Sequence, residues 1–216
     1  MLAEVEDDYH CMAVEIRHCE GIARDVESRV HRAPWTTCPG AEQTLTATFA
    51  GVALGDFVAR GQKKANCTHL HDLALLAANH AWDAQQTILD IRVSDPVAGR
   101  CRAALYRGEA RLLSWVLQGN QVVAPAGFQG LGLFDRLDPW LVGLPGDVQE
   151  AVRLLRWSCI VAHGRQIPLS QQSDATAMPA NCYTFQPERA LMAERVGRIK
   201  DFSDGRERPL EPVNGA

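Results

Sequence analysis

The segment Asn66-Cys67-Thr68-His69-Leu70-His71 places a thiol, a hydroxyl and two imidazoles at the start of a predicted helix. A helix start presents unpaired backbone N–H groups and a partial positive charge. A cysteine there can ionise below its ordinary range, and an anionic ligand oxygen can dock there. Cys67 and Thr68 are therefore candidate substrate-binding residues. An unperturbed histidine titrates near neutrality, which makes His69 a candidate general acid or base. His69 and His71 lie about 200° apart on a regular helix, so only one of them can face a given pocket. A structural reading competes: Cys67 buried, Thr68 capping the helix, and His69 bonded to a backbone carbonyl.

Further candidates lie elsewhere in the chain. His10 begins a predicted strand, with Glu15 and Arg17 further along it. Regular alternation sets Cys11, Glu15 and Arg17 on one face and His10 with Met12 on the other. Glu15 is a candidate catalytic carboxylate and Arg17 a candidate substrate-binding cation, although a solvated cross-strand charge pattern accounts for both equally well. Tyr183, beside Cys182, is a candidate phenolic proton donor. Trp35, Trp82, Trp115, Trp140, Trp157 and Phe185 could line a pocket for an aromatic ligand, and core packing explains the same residues. Cys38, Cys67, His69 and His10 are acceptable zinc ligands, but their spacing matches no local zinc template. No cofactor is expected, with zinc as the alternative.

The elements that must position these groups can be read from periodicity. Residues 9–19 and 22–32 alternate with period two around Glu20-Gly21, which predicts a β-hairpin. The Ala33-Pro34-Trp35 segment breaks the second strand. Thr36 and Thr37 are candidate caps, and a short helix to about Ala50 ends at Gly51. Gly55 and Gly61 mark a loop. A longer helix is predicted from Thr68 to Gln86, with Leu70, Leu73, Ala77 and Trp82 on its apolar face. Ile88–Val93, Cys101–Tyr106, Ala110–Gln118 and Gln121–Val123 predict a second antiparallel meander. A glycine- and proline-rich stretch precedes a helix from Val148 to about Ala162, with Asp147 as its N-cap and Gly164 as its stop. Residues 169–181 read as a surface loop, and Pro187 to about Ile199 as a short helix. The polar residues 203–216 are expected to be disordered. The fold class expected is α+β: an antiparallel hairpin and a meander packed against three to four helices, as a single domain over residues 1–202.

Three segments, in this order and spacing, resemble the bacterial uncharacterised domain family numbered 2889. They are His10-Cys11-Met12, Ala33-Pro34-Trp35-Thr36-Thr37-Cys38-Pro39 and Cys67-Thr68-His69-Leu70. They are similar to that family's His-Asp-Met strand start, Pro-aromatic…Cys-Pro turn and Gly-Cys-Thr-His-Leu helix start. Asn181-Cys182-Tyr183 is similar to a late cysteine-containing element of the family. Cys11 stands where the family has an acidic residue, and Lys64-Ala65-Asn66 replaces a glycine-rich lead. Longer members carry an N-terminal segment that this chain is expected to lack. The resemblance implies a small-molecule enzyme of aromatic catabolism, of the kind that breaks down lignin-type phenylpropanoids. Histidines such as His10, which the resemblance covers, and His69 could supply the proton transfers, with Tyr183 or Glu15 assisting.

Composition narrows the classes. The 216 residues suffice for one substantial core, and a net charge of −4 gives no basic footprint for nucleic acid. No apolar run approaches the roughly 20 residues of a membrane span. The start Met1-Leu2-Ala3-Glu4-Val5-Glu6-Asp7-Asp8 is neither positive nor apolar, so no signal peptide is expected. Seven cysteines without a CxxC pair imply reduced thiols in a cytoplasmic setting. Motifs for nucleotides, dinucleotides, serine hydrolysis and common metalloproteases are missing from the sequence. The expected function is a cofactor-independent lyase acting by acid–base chemistry on a phenolic dimer, for instance by releasing formaldehyde. The alternative is a zinc-binding or ligand-binding accessory protein. A homodimer is an open possibility for the assembly.

Overall fold

The computed structural model describes residues 1–168, 171–196 and 199–211. The chain is α+β, with two antiparallel sheets of three and four strands. Its contacts divide it into two compact units, Met1–Ala84 with Leu169–Ala216, and Gln85–Pro168.

The first unit is built on β1 (Leu2–Glu6), β2 (Cys11–Cys19) and β3 (Ile22–Arg32), in the order β1-β2-β3. The predicted hairpin is present. Glu20 and Gly21 both take positive φ, 51° and 78°, which matches the right-handed twist of a tight two-residue connection. Met12, Val14, Ile16 and Val26 are buried on the sheet's inner face. The unexpected strand is β1. Ala3 pairs with Val14 and Val5 with Met12, so the acidic start alternates and lends its apolar residues to the core.

Helix α1 (Ala41–Phe49) follows a 3-10 turn at Cys38–Gly40, so Thr36 and Thr37 do not cap it directly. It covers the outer edge of β3: Glu42 accepts the Val30 N–H at 2.7 Å, and Thr46 donates to the Val26 carbonyl at 2.7 Å. An edge strand covered in this way offers no template for another chain. The expected loop at Gly55–Gly61 contains the short α2 (Phe57–Arg60).

Helix α3 (Thr68–Asn79) packs on β1 and β2, burying Leu70, Leu73, Ala74 and Ala77. It stops at Asn79 rather than Gln86. The Asp83 carboxylate bonds the His80 ring at 2.7 Å, and Trp82 leaves the core with 72% exposure to lie edge-on against His18.

The second unit is the predicted meander. Strands β4 (Asp90–Val93), β5 (Arg100–Arg107), β6 (Ala110–Gln118) and β7 (Gln121–Ala124) lie in sequence order. Helices α4 (Asp138–Leu141) and α5 (Gly146–His163) follow. Pro145 occupies the cap position expected for Asp147, whose carboxylate bonds the next N–H, that of Val148. Trp115, Leu117, Val152 and Leu155 centre this core.

Back in the first unit, α6 spans only Pro187–Ala190. The chain then leaves the helix to form a bridge with Trp35, in which Thr36 donates to the Glu194 carbonyl and Val196 to that of Pro34. The longer helix expected there is replaced by this pairing as far as Val196, and Gly197 and Arg198 lie outside the described residues. Leu169 and Ser170, at the start of the expected surface loop, also lie outside them. Of the tail expected to be disordered, residues 203–211 run in turns, and the Leu210 N–H donates to Glu6. Residues 212–216 lie outside the described residues.

Candidate active site

Between β1 and β2 the chain reverses through Asp7-Asp8-Tyr9-His10. The Asp7 N–H donates to the His10 carbonyl at 2.9 Å. One Asp7 carboxylate oxygen accepts the N–H groups of Tyr9 and His10, each at 2.8 Å. This local side-chain capture is what makes aspartate favourable in a turn. The same oxygen lies 3.0 Å from His10 Nδ1. A carboxylate at Nδ1 fixes the ring and leaves Nε2 as the outward nitrogen.

Arg32, at the end of β3, clamps this turn. Its guanidinium donates to the carbonyls of Asp7 and Asp8 and pairs with Glu6 at 2.9 Å, with both side chains nearly buried. Burial alone would raise the Glu6 carboxyl, but the Leu210 N–H and the cations of Arg32 and Lys200 hold it below the ordinary range.

His69, the second residue of α3, meets His10 from the other side. The two imidazoles stack with centroids 3.8 Å apart and planes 28° apart. Burial first, and then the neighbouring His10, push the His69 pKa down to about 3; Asp7 and Asp72 oppose this only in part. Burial would raise the Asp7 carboxyl, but the charges of His10 and His69 and the hydrogen bonds it accepts bring it to about 2. Asp7 is therefore an anion and His69 a neutral ring at neutral pH. The ligand atoms of Asp7, His10 and His69 all lie within 4.8 Å of one another.

The other predicted site residues fall into three groups. Cys67 is the cap residue of α3, yet its thiol is pushed up to about 12. Full burial outweighs the N–H groups of Leu70 and His69, so the expectation of an easily ionised thiol at this helix start fails. Thr68 opens the helix beside it. Trp35 is buried, edge-to-face with Phe185 at 5.6 Å. Tyr183 donates its N–H to Asn66, and its ring lies under the Arg189 guanidinium at 4.0 Å. Its hydroxyl sits so close to Gly40 that a Cβ there would meet it at 2.6 Å. Next to it, Thr184 bonds both Thr37 and the Cys38 thiol. The turn at 34–39, the α3 start and the 181–184 segment thus meet in one place.

Glu15 and Arg17 do not belong to it. They lie on the face of β2 opposite the buried Met12, Val14 and Ile16, where Arg17 pairs with Glu15, Asp25 and Glu27 in the open. The solvated charge pattern is what they form. His71 is structural: its Nε2 bonds the Gly61 carbonyl at 2.8 Å and its ring packs on Phe49. The zinc set expected from Cys38, Cys67, His69 and His10 does not assemble. Among the described residues the three-ligand group is Asp7, His10 and His69. Asp7 was not singled out from the sequence. Its signal is an aspartate three residues before a histidine at a strand start.

The fold and this array define an α+β protein with a carboxylate-backed histidine pair suited to moving protons. No family model, curated protein or solved structure matches the chain. Among the described residues no helix is long and apolar enough to cross a membrane.

Proposed function

We propose that the protein is a cofactor-independent lyase acting by acid–base chemistry on an aromatic small molecule. The observation that carries this reading is His10, held by Asp7 at 3.0 Å and stacked on a neutral His69 at 3.8 Å. Two stacked imidazoles cannot both carry a proton charge cheaply in a desolvated setting. Burial disfavours charge on His69, and the Asp7 carboxylate holds His10 by Nδ1. His10 is then the group that takes up and returns a proton through Nε2, and His69 stays neutral to bond a substrate hydroxyl. Arg32 holds the turn that carries both Asp7 and His10.

An aromatic substrate fits chemistry by proton transfer alone. A deprotonated phenolic ring can push an electron pair outward to expel a protonated side-chain hydroxyl as water, which leaves a quinone methide. Removal of a proton from a neighbouring hydroxymethyl group then breaks the C–C bond, releases formaldehyde and returns the electron pair to the ring. The ring of Tyr9 beside His10, and the resemblance of the His10, Pro34–Pro39 and Cys67–Leu70 segments to the family numbered 2889, support this substrate class.

The test is formaldehyde release from a panel of phenolic diaryl 1,3-diols. Wild-type protein is expected to release it without added metal, and His10→Asn to lose about 100-fold or more of the rate while keeping its circular dichroism spectrum. Folded wild-type protein that leaves the whole panel unchanged would overturn the reading.

A second reading rests on the ligand atoms of Asp7, His10 and His69 lying within 4.8 Å. A divalent ion such as zinc would take all three at roughly 2.0–2.2 Å, which requires the ligand atoms to draw together around it. Metal analysis separates the two: stoichiometric zinc in purified protein, lost in Asp7→Asn, favours it.

A further inference from the structure

Arg195 carries a guanidinium whose hydrogen bonding is incomplete. Its Nε and Nη2 atoms are shielded from solvent and have no acceptor among the described residues. These two N–H groups form one edge of the guanidinium fork, the edge that receives both oxygens of a carboxylate. Arg156 shows the same edge satisfied internally: its Nε donates to the Leu133 carbonyl and its Nη2 to that of Asp135, each at 2.8 Å. A buried donor left unpaired costs about 1–3 kcal/mol, and more when charged, so an empty edge calls for a physical reason. Burial also lowers the Arg195 pKa, with Tyr9 and Cys38 opposing the shift, so the cation is one that an added anion would stabilise.

The surroundings say what kind of anion. The guanidinium carbon lies 5.4 Å from the Tyr9 ring centroid and 5.5 Å from that of Trp35. Those rings lie farther from the group than Tyr183 does from Arg189, at 4.0 Å. Tyr9 is also the neighbour of His10, with ring centroids 6.2 Å apart. The backbone of Arg195 is fixed by its bridge to Trp35. The charge, the two aromatic walls and the proton-transfer pair therefore adjoin one another through Tyr9 and Trp35.

We infer that Arg195 is the receptor for the carboxylate of an aromatic acid, gripping both oxygens with Nε–H and Nη2–H, with the buried rings of Tyr9 and Trp35 holding the guanidinium in place. The carboxylate reaches the shielded edge by rotation of the long arginine side chain. The inference rests on the acid–base reading only for what happens at the far end of the ligand. Binding itself is independent of it.

The probes are 4-hydroxybenzoate and 4-hydroxycinnamate against their methyl esters, titrated calorimetrically into the full-length protein at neutral pH. The esters keep ring and phenol and lose the charge. The acids are expected to bind about 10- to 100-fold tighter than the esters, the range of a charged hydrogen-bond pair. Arg195→Gln is expected to abolish the difference. Arg195→Lys is expected to restore only part of it, because an ammonium is a point charge without the fork. His10→Asn is expected to leave it intact. If Arg195→Gln does not fold, Arg195→Lys and the acid–ester comparison on wild type decide. Equal binding of acids and esters, a preference that survives Arg195→Gln, or no binding of either acid up to millimolar concentration would overturn the inference. A preserved acid preference with no turnover of any phenolic compound would instead overturn the lyase reading and leave this one standing.

Discussion

Lowering the pH should strain this protein through His69 before any carboxylate titrates. In the folded chain the His69 pKa lies at about 3, against 6.5 for an unperturbed histidine. Between those values the unfolded chain binds a proton that the folded chain refuses, so stability falls as pH falls from 6.5 towards 3. Near pH 5 the slope is one proton, or about 1.4 kcal/mol per pH unit, and from pH 7 to pH 4 the loss sums to about 3 kcal/mol. Asp7 adds the same sign later. Its carboxyl, at about 2 against 3.8, contributes stability that is complete above 3.8 and lost as pH falls through 2. The assay is urea unfolding of wild type and His69→Gln at pH 7, 6, 5 and 4. The variant lacks the titrating ring, so subtracting its curve cancels every other group. Wild type should lose about 3 kcal/mol more than His69→Gln across that range. A proton-detected NMR titration of the histidine rings should find His69 still neutral at pH 5. Parallel pH profiles in the two proteins, or a His69 midpoint near 6.5, would refute the reasoning.

Two other outcomes follow from burial. At pH 8 the Cys67 thiol should carry about a thousandfold less thiolate than an ordinary thiol, since its pKa lies at about 12 rather than 9.0. Mass spectrometry after brief iodoacetamide treatment should therefore find it unmodified in folded protein and modified in urea. Arg32→Met should destabilise by about 3 kcal/mol, because it leaves the Glu6 carboxylate, only 7% exposed, with Lys200 as its remaining cation. Urea midpoints measure this, and a loss under about 1 kcal/mol would mean that Lys200 and water replace the guanidinium.

What the sequence made legible was local periodicity. Met12, Val14 and Ile16 alternate strictly around a Glu20-Gly21 turn, and the hairpin is where that pattern puts it. The separation of His69 from His71 followed from helical geometry: one meets His10, and the other is sunk against Phe49. The failures are tertiary. In β1, Glu4 and Glu6 hide the alternation of Ala3 and Val5, and only pairing with β2 makes those residues a strand. Asp7 gains its role from a turn that closes on His10. Arg32 and Arg195 reach the site from residues far away in sequence, at the end of one strand and in a late bridge. Of the two readings of Cys67, the buried one is found: a helix start lowers a thiol pKa only when solvent or a cation shares the load, and here full burial outweighs it.

The division of labour between the two histidines follows from the different elements that carry them. His10 sits in a turn whose carbonyls are tied to Arg32 and whose carboxylate is Asp7, so its position is fixed by hydrogen bonds. His69 sits on a helix packed against β1 and β2. Removing the carboxylate by Asp7→Asn therefore acts on one ring far more than on the other. It takes the carboxylate from His10 Nδ1 and frees its ring to turn, while burial continues to keep His69 neutral. A symmetric pair would lose function equally from either side. Here the loss should track the turn, so that Asp7→Asn and His10→Asn resemble each other in formaldehyde release. His69→Gln, which can still bond a hydroxyl, should retain more of it.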